Sequence, residues 1–219
     1  MAELRTEEEQ LEAIKRWWKE NGTSLIAGVV IAAAGVLGWN AWQDYQASQA
    51  EAASMRYQQL INLASQDELE AADRSRALEL IDEIVGEHDD TLYADLAGLI
   101  EARLAVSDGD LAAAQAALGD VIEVSSRDYI QSLARLRLAR LQLADGDPDA
   151  ALATLDEEIS SSLAAQRAEI RGDAYVALER DEDAREAYQQ AKALASENDQ
   201  PLYGIQLKLD DLGTPEATL

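Results

Sequence analysis

An uncharged segment at residues 21–43 constrains this chain more than any other feature, and its centre, residues 25–38, contains only Leu, Ile, Val, Ala and Gly. A helix of this length spans about 34 Å, enough to cross the roughly 30 Å hydrocarbon core of a bilayer. Because a lone segment in lipid must satisfy its own backbone hydrogen bonds, we predict a single transmembrane helix. A buried helix in a soluble core is the alternative interpretation.

The residues on either side of this segment favour the membrane interpretation. All four tryptophans of the chain lie near its ends: Trp17, Trp18, Trp39 and Trp42. Such rings collect where lipid meets water. Lys15, Arg16 and Lys19 precede the segment, whereas the first basic residue after it is Arg56. Since basic residues remain on the cytoplasmic side, we expect a cytoplasmic N-terminus and an external C-terminal region.

These features predict three regions. Residues 1–20 form a short cytoplasmic segment, residues 21–43 the transmembrane helix, and residues 44–219 a domain outside the cytoplasm. The pair Asn21-Gly22 is expected to separate the first segment from the membrane helix. Helix-favouring residues without proline follow the span, which allows the helix to extend into the downstream domain as far as Ala64. A cleaved signal peptide is the alternative, but the run is long and no small-x-small site follows it closely.

Small residues recur within the predicted span. They form small-xxx-small pairs with one further glycine: Gly28 with Ala32, Ala34 with Gly38, and Gly35. Such spacing permits close contact between membrane helices. The alternative is that Gly and Ala are simply common in membrane spans.

Charge and cysteine content limit the functions open to the downstream domain. Residues 44–219 contain 37 acidic and 14 basic residues, and their net charge of −23 disfavours binding to nucleic acid, anionic lipid or phosphate groups. It suits either a solubilising surface or a docking face for a basic partner. Because the chain has no cysteine, its stability outside the cytoplasm must come from packing.

The downstream sequence predicts an all-helical domain of paired helices. Turns rich in Gly and Asp, which end one helix and cap the next, separate segments with helical spacing of apolar residues. We predict one helix that begins at Asp67, with Ala71, Leu78, Ile81 and Val85 at helical spacing. Further helices are predicted at residues 91–106, 111–124, 127–144, 149–159, 161–179 and 183–195, with a closing helix at 202–212. His88 lies between the first two of these, where we expect an exposed loop.

The turns recur about every 34 residues, which is typical of tetratricopeptide repeats. The third unit matches the repeat best at five positions: Gly172, Tyr175, Ala184, Tyr188 and Ala191. Small residues there allow two helices to approach, while the aromatic rings fill the seam. We therefore predict a single transmembrane helix followed by an α-solenoid of helical hairpins resembling tetratricopeptide repeats.

No residue pattern indicates catalysis, a cofactor or a metal. His88 has no partners at ligand spacing. Asp145, Asp147, Asp149 and Asp156 resemble part of a calcium loop, but Ala150 stands where that loop needs glycine. We interpret these residues as a helix cap and turn, and the chain as a non-enzyme.

The N-terminal block carries a family resemblance. Residues 8–22 (EEQLEAIKRWWKENG), residues 38–42 (GWNAW) and the downstream helical layout resemble the YfgM family, the ancillary subunit of the SecYEG translocon. The resemblance implies a single-pass inner-membrane protein with a periplasmic tetratricopeptide-like domain. It also implies association with SecYEG and with the membrane-anchored chaperone PpiD, and assistance to proteins emerging into the periplasm.

Three functions remain open at this point, of which a repeat subunit of an envelope enzyme complex is the least favoured. The first is a translocon-associated adaptor or chaperone, whose concave helices, at residues 97–104, 134–141 and 168–175, contact a polypeptide segment. The second is an envelope scaffold or signalling regulator that binds one folded partner. An apolar groove would favour the first, and a purely acidic groove would favour a single basic partner.

Overall fold

The computed structural model describes residues 7–66, 69–199 and 201–213, and within these ranges it contains helices and no strand. The prediction of an all-helical chain is confirmed. The described α-helices are α1 (Glu7–Ala64), α2 (Ala71–Glu87), α3 (Leu92–Ser107), α4 (Leu111–Val124), α5 (Asp128–Ala144), α6 (Pro148–Asp156), α7 (Ala164–Ala177), α8 (Asp181–Glu197) and α9 (Ile205–Asp211). A short 3-10 helix, Ser161–Leu163, precedes α7.

Helix α1 contains the uncharged segment. It is the one helix in the described ranges that is long and apolar enough to cross a membrane. Large apolar side chains such as Ile31 and Leu37 are about 70% exposed there (72% and 69%), as a helix surrounded by lipid requires.

The predicted break at Asn21-Gly22 is wrong. Helix α1 continues through both residues and ends at Ala64. The Asn21 side-chain amide donates a hydrogen bond to the Trp17 carbonyl (3.1 Å). Gly22 lies against the Trp18 ring, which a Cβ would approach to 3.3 Å. An internal glycine costs only about 1 kcal/mol, which is less than leaving the backbone groups of a broken helix unpaired.

The chain divides into two compact units, residues 1–51 and residues 52–219. The division falls inside α1, so the last turns of this helix belong to the second unit. The predicted division after residue 43 concerns the membrane boundary and stays a prediction.

The second unit is built from consecutive helices packed in pairs. Helices α3 and α4, α5 and α6, and α7 and α8 form the three predicted hairpins. The last turns of α1 pack beside these hairpins, because Leu60 and Ala64 of α1 share a core with Ile81 and Ile84 of α2 and with Leu104 of α3. The predicted helix that bears Ile81 is found as α2, and its predicted start at Asp67 lies outside the described residues. Its packing against α1 was not predicted, since no Gly-Asp turn joins the two helices.

The caps explain why α4 and α6 begin where they do. The carboxylate of Asp110 accepts a hydrogen bond from the backbone N–H of Ala113 (2.9 Å), and that of Asp147 from the N–H of Ala150 (2.9 Å). Each satisfies a donor at the helix start that has no partner within the helix. The interpretation of the Asp145–Asp149 turn as a cap is therefore confirmed, with Pro148 at the first helical position.

The ends of α3 and α5 use glycine to reverse the chain. Gly109 (φ 76°) and Gly146 (φ 84°) adopt the left-handed conformation that glycine tolerates best. Glu179 (φ 58°) takes the equivalent position after α7, in a turn without glycine.

The expectation for His88 is wrong, because its side chain is buried and only 7% exposed. Arg56 donates to His88 Nε2 (2.9 Å) and also forms ion pairs with Glu83 (3.3 Å) and Glu87 (3.0 Å). The backbone carbonyl of His88 accepts a hydrogen bond from Thr91 Oγ1 (2.7 Å). This cluster links the last turns of α1 to the end of α2, and no local sequence pattern reveals such a contact over 32 residues.

A second polar cluster holds the start of α5 against α3. Arg127 Nη1 and Ser125 Oγ donate to the buried carboxylate of Asp95 (2.9 and 3.0 Å), while Arg127 Nη2 donates to the Asp90 carbonyl (3.1 Å). Because Asp95 is only 6% exposed, these partners compensate for the removal of its charge from water.

Candidate functional site

An apolar groove opens between α3 and α5, with α4 beneath it. Its cavity measures about 280 Å³. The apolar lining comes from three helices: Leu99, Ala102 and Val106 of α3, Leu118 of α4 and Leu141 of α5. We call this cavity the α3–α5 groove.

Three arginines complete the lining of the α3–α5 groove: Arg103, Arg137 and Arg140. The Arg103 guanidinium donates to the Ala64 carbonyl (2.6 Å), which anchors this side chain. Among the residues that the structure describes, Arg137 and Arg140 have no hydrogen-bond or ion-pair partner. The groove is thus basic although the chain is strongly acidic.

The arginines influence one another. Burial, followed by the charges of Arg140 and Arg103, lowers the pKa of Arg137 below its ordinary value. The guanidinium nevertheless remains charged at neutral pH. An anion seated between these side chains would reduce their mutual repulsion.

The helical spacing of these residues explains their meeting. Positions 99, 102, 103 and 106 follow the i, i+3, i+4, i+7 pattern, and positions 137, 140 and 141 follow the i, i+3, i+4 pattern, so each set occupies one helix face. The arginines were not predicted as site residues, because the net negative charge of the chain conceals a basic patch on one part of its surface. The segment RLRLAR at residues 135–140 was the available signal.

Two of the three predicted contact ranges, 97–104 and 134–141, meet in the α3–α5 groove. The groove is apolar with a basic rim, so the purely acidic groove that would select a basic partner is not found here.

The third range, 168–175, belongs to α7 and does not line this groove. Helix α9 instead covers part of this range. Lys208 of α9 donates to Glu169 Oε1 (2.9 Å) and to both carboxylate oxygens of Asp173 (2.7 and 2.9 Å). Burial alone would lower the pKa of Lys208, but the hydrogen bonds to Asp173 and Glu169 outweigh it and raise the pKa above 10.5. The lysine is therefore charged at neutral pH, and α9 is held on α7.

The repeat positions of the third unit lie at the seam between α7 and α8. An ideal Cβ built on Gly172 would be 2.3 Å from Tyr188 Cε1, so only glycine fits at this position. The Tyr188 hydroxyl donates to Asp173 Oδ1 (2.7 Å). Ala184 and Ala191 are fully buried beside the Tyr188 ring.

Tyr175, the remaining repeat position, packs partly against the same core. The Arg180 guanidinium carbon lies 4.5 Å from the centre of its ring. This cation–π contact stabilises the turn between α7 and α8.

The small residues of α1 occupy two faces of the helix. At about 100° per residue, Gly28, Ala32 and Gly35 share one face, while Ala34 and Gly38 lie roughly a quarter turn or more away. No atom lies within 4 Å of a Cβ built on Gly28, Gly35 or Gly38, so these positions have open space around them. A helix contact here stays a prediction.

Within the described ranges, no group of three or more His, Asp or Glu side chains is arranged to hold a metal ion. The groove offers apolar contact and guanidinium donors, and those groups bind ligands without a reaction step. Its chemistry is that of a binding surface.

Comparisons with known proteins agree with this architecture. Residues 15–214 match the family model of a tetratricopeptide repeat-like domain. No solved structure matches the chain.

Three relatives are each named "Ancillary SecYEG translocon subunit". The chain is 34% identical to the protein of Haemophilus influenzae over 206 residues, which are 94% of this chain and 97% of the relative. It is 35% identical to that of Aggregatibacter actinomycetemcomitans over 97% of this chain and the whole relative. It is 33% identical to that of Escherichia coli over 84% of this chain and 85% of the relative. The chain therefore belongs to the tetratricopeptide repeat-like family of ancillary SecYEG translocon subunits.

Proposed function

We propose that this protein is a non-enzymatic, membrane-anchored adaptor that associates with the SecYEG translocon. The observation that carries the proposal is the likeness to proteins of that name over nearly the full chain, including both the apolar helix and the helical pairs. The open apolar groove supports a role in binding protein segments.

The proposed topology places residues 1–20 in the cytoplasm and residues 44–219 in the periplasm. Lys15, Arg16 and Lys19 support this orientation, since they lie on the N-terminal side of the uncharged segment. The span at residues 21–43 then keeps the helical pairs at the inner membrane. The small residues Gly28, Ala32 and Gly35 form the face that we propose for contact with a translocon helix.

Anchoring supplies the mechanism of the proposed adaptor. A domain that is held beside a channel meets an emerging polypeptide at a high effective concentration, so weak contacts in the groove suffice for binding. Segments can then exchange rapidly as translocation proceeds. We propose that a chaperone resembling PpiD is a second partner and that together they assist proteins emerging into the periplasm.

Copurification tests the proposed association. The full-length protein, tagged and expressed in its own membrane, is solubilised gently and its partners are identified. We expect translocon subunits to copurify with it. Replacing residues 25–38 by a poly-Leu span of equal length should lower their recovery at least about fivefold, since a poly-Leu surface holds helices farther apart.

Expression level and membrane insertion of the two proteins serve as controls. Unchanged recovery with the poly-Leu span would assign the contact to the soluble domain and overturn the role of the small-residue face. If no translocon subunit copurifies and one other envelope protein dominates, the chain is a scaffold or regulator of that partner and the proposed adaptor function is wrong.

A further inference from the structure

The α3–α5 groove combines two properties, an apolar floor and a basic rim. Its floor is apolar, with Leu99 and Leu118 nearly fully buried (5% and 1% exposed). Its rim carries three guanidinium groups in a chain with 43 acidic and 18 basic residues. Most other described arginines are paired: Arg56, Arg74, Arg76, Arg127, Arg171 and Arg180 form ion pairs with carboxylates.

Arg137 and Arg140 differ from those arginines, because no carboxylate within the described ranges pairs with either of them. They stand one helical turn apart on α5, on the side that faces the apolar floor. Guanidinium groups in such a setting match carboxylates, with which they form charge-assisted and often bidentate hydrogen bonds. The apolar floor leaves room for the neighbouring aliphatic side chains of a ligand.

We infer that the α3–α5 groove binds polypeptide segments in which carboxylate side chains flank aliphatic ones. The arginines pair with the carboxylates, and the aliphatic side chains enter the cavity beside Val106 and Leu141. A cavity of about 280 Å³ holds a few side chains of a short segment and not a folded domain. This inference rests on the proposed adaptor function and specifies the class of segment that the adaptor selects.

The overall charge of the protein and the local charge of the groove predict opposite orders of peptide affinity. A net charge of −25 repels acidic peptides and attracts basic ones. If long-range charge alone governed binding, a basic peptide would bind best. The groove predicts the opposite order, because its local contacts are basic.

Calorimetric titration of the full-length protein in nanodiscs of zwitterionic lipid tests the inference. The probes are three short synthetic peptides with one Leu/Ala framework, acetylated and amidated, whose variable positions are all Glu, all Gln or all Lys. We expect the Glu peptide to bind at least about tenfold more tightly than the Gln peptide, and the Lys peptide to bind most weakly.

A double variant, Arg137→Gln with Arg140→Gln, assigns the binding to the groove. We expect it to reduce affinity for the Glu peptide at least about tenfold and to leave the Gln peptide unaffected. Arg135→Gln is the matched control, since Arg135 lies on the same helix but does not line the cavity. Circular dichroism establishes whether the variants are folded. If the double variant does not fold, the three peptides titrated into the unmodified protein still test the inference.

Three results would overturn the inference: equal binding of the Glu and Gln peptides, binding of none of the three, or an equal loss in Arg135→Gln. If translocon subunits still copurify with the protein in that case, only the assigned ligand class is wrong. If the Glu peptide binds selectively but no translocon subunit copurifies, the ligand class assigned to the groove is supported and the proposed association with the translocon is wrong.

Discussion

Replacing Gly172 by Ala is expected to lower the free energy of unfolding of the helical unit by about 2–3 kcal/mol. The new methyl group would lie 2.3 Å and 2.4 Å from two carbons of the Tyr188 ring. The ring cannot move away easily, because it is only 3% exposed and its hydroxyl is held by Asp173. Helices α7 and α8 must therefore separate to accommodate the methyl group.

The measurement is urea denaturation of the full-length protein in detergent, followed by circular dichroism. Gly119→Ala is the matched control, because Gly119 also lies within a helix, α4, but has no atom within 4 Å of its added Cβ. There the substitution should be neutral or stabilise the protein by up to about 1 kcal/mol, since alanine favours the helix. Equal effects at the two positions would contradict the close approach of α7 and α8.

Replacing Ile170 by Ala is expected to have an even larger effect, a loss of about 2–5 kcal/mol. Ile170 on α7 has no exposed surface and packs with Leu136 of α5, Leu155 of α6 and Leu163. Truncation removes apolar contacts with three neighbouring elements and leaves a cavity between helical pairs. Because each pair in a repeat array is stabilised mainly by its neighbours, the loss should lower cooperativity as well as stability.

The same denaturation experiment measures this effect, and Val176→Ala supplies the control. Val176 lies on the same helix but is 42% exposed, so its truncation should cost less than about 1 kcal/mol. A loss at Ile170 as small as that at Val176 would show that the core between the second and third hairpins does not hold the array together.

Local chemistry made much of this fold predictable from the sequence. The turns at Gly109 and Gly146 combine a left-handed glycine with a capping aspartate, so the helices on either side begin and end close to the predicted residues. Gly172 was predictable from the repeat spacing, which identifies positions where only a small residue fits.

The features that were missed depend on contacts between distant residues. Helix α1 passes through Asn21-Gly22 because a continuous helix outweighs a local turn preference. The burial of His88 depends on Arg56, and the cover over range 168–175 depends on Lys208. Arg137 and Arg140 are likewise unpaired because no carboxylate of the described unit lies close enough to pair with them. The spacing of residues along one helix does not reveal this.

The most direct test of the central claim is site-specific cross-linking in cells during protein export. A photo-activatable residue replaces Val106, which lines the α3–α5 groove, and in a parallel strain it replaces Val124, which is exposed outside the groove. An anchored adaptor should cross-link from position 106 to translocon subunits or to exported chains carrying acidic and aliphatic segments, and far less from position 124. Equal cross-linking from both positions, or cross-linking from position 124 alone, would contradict the account.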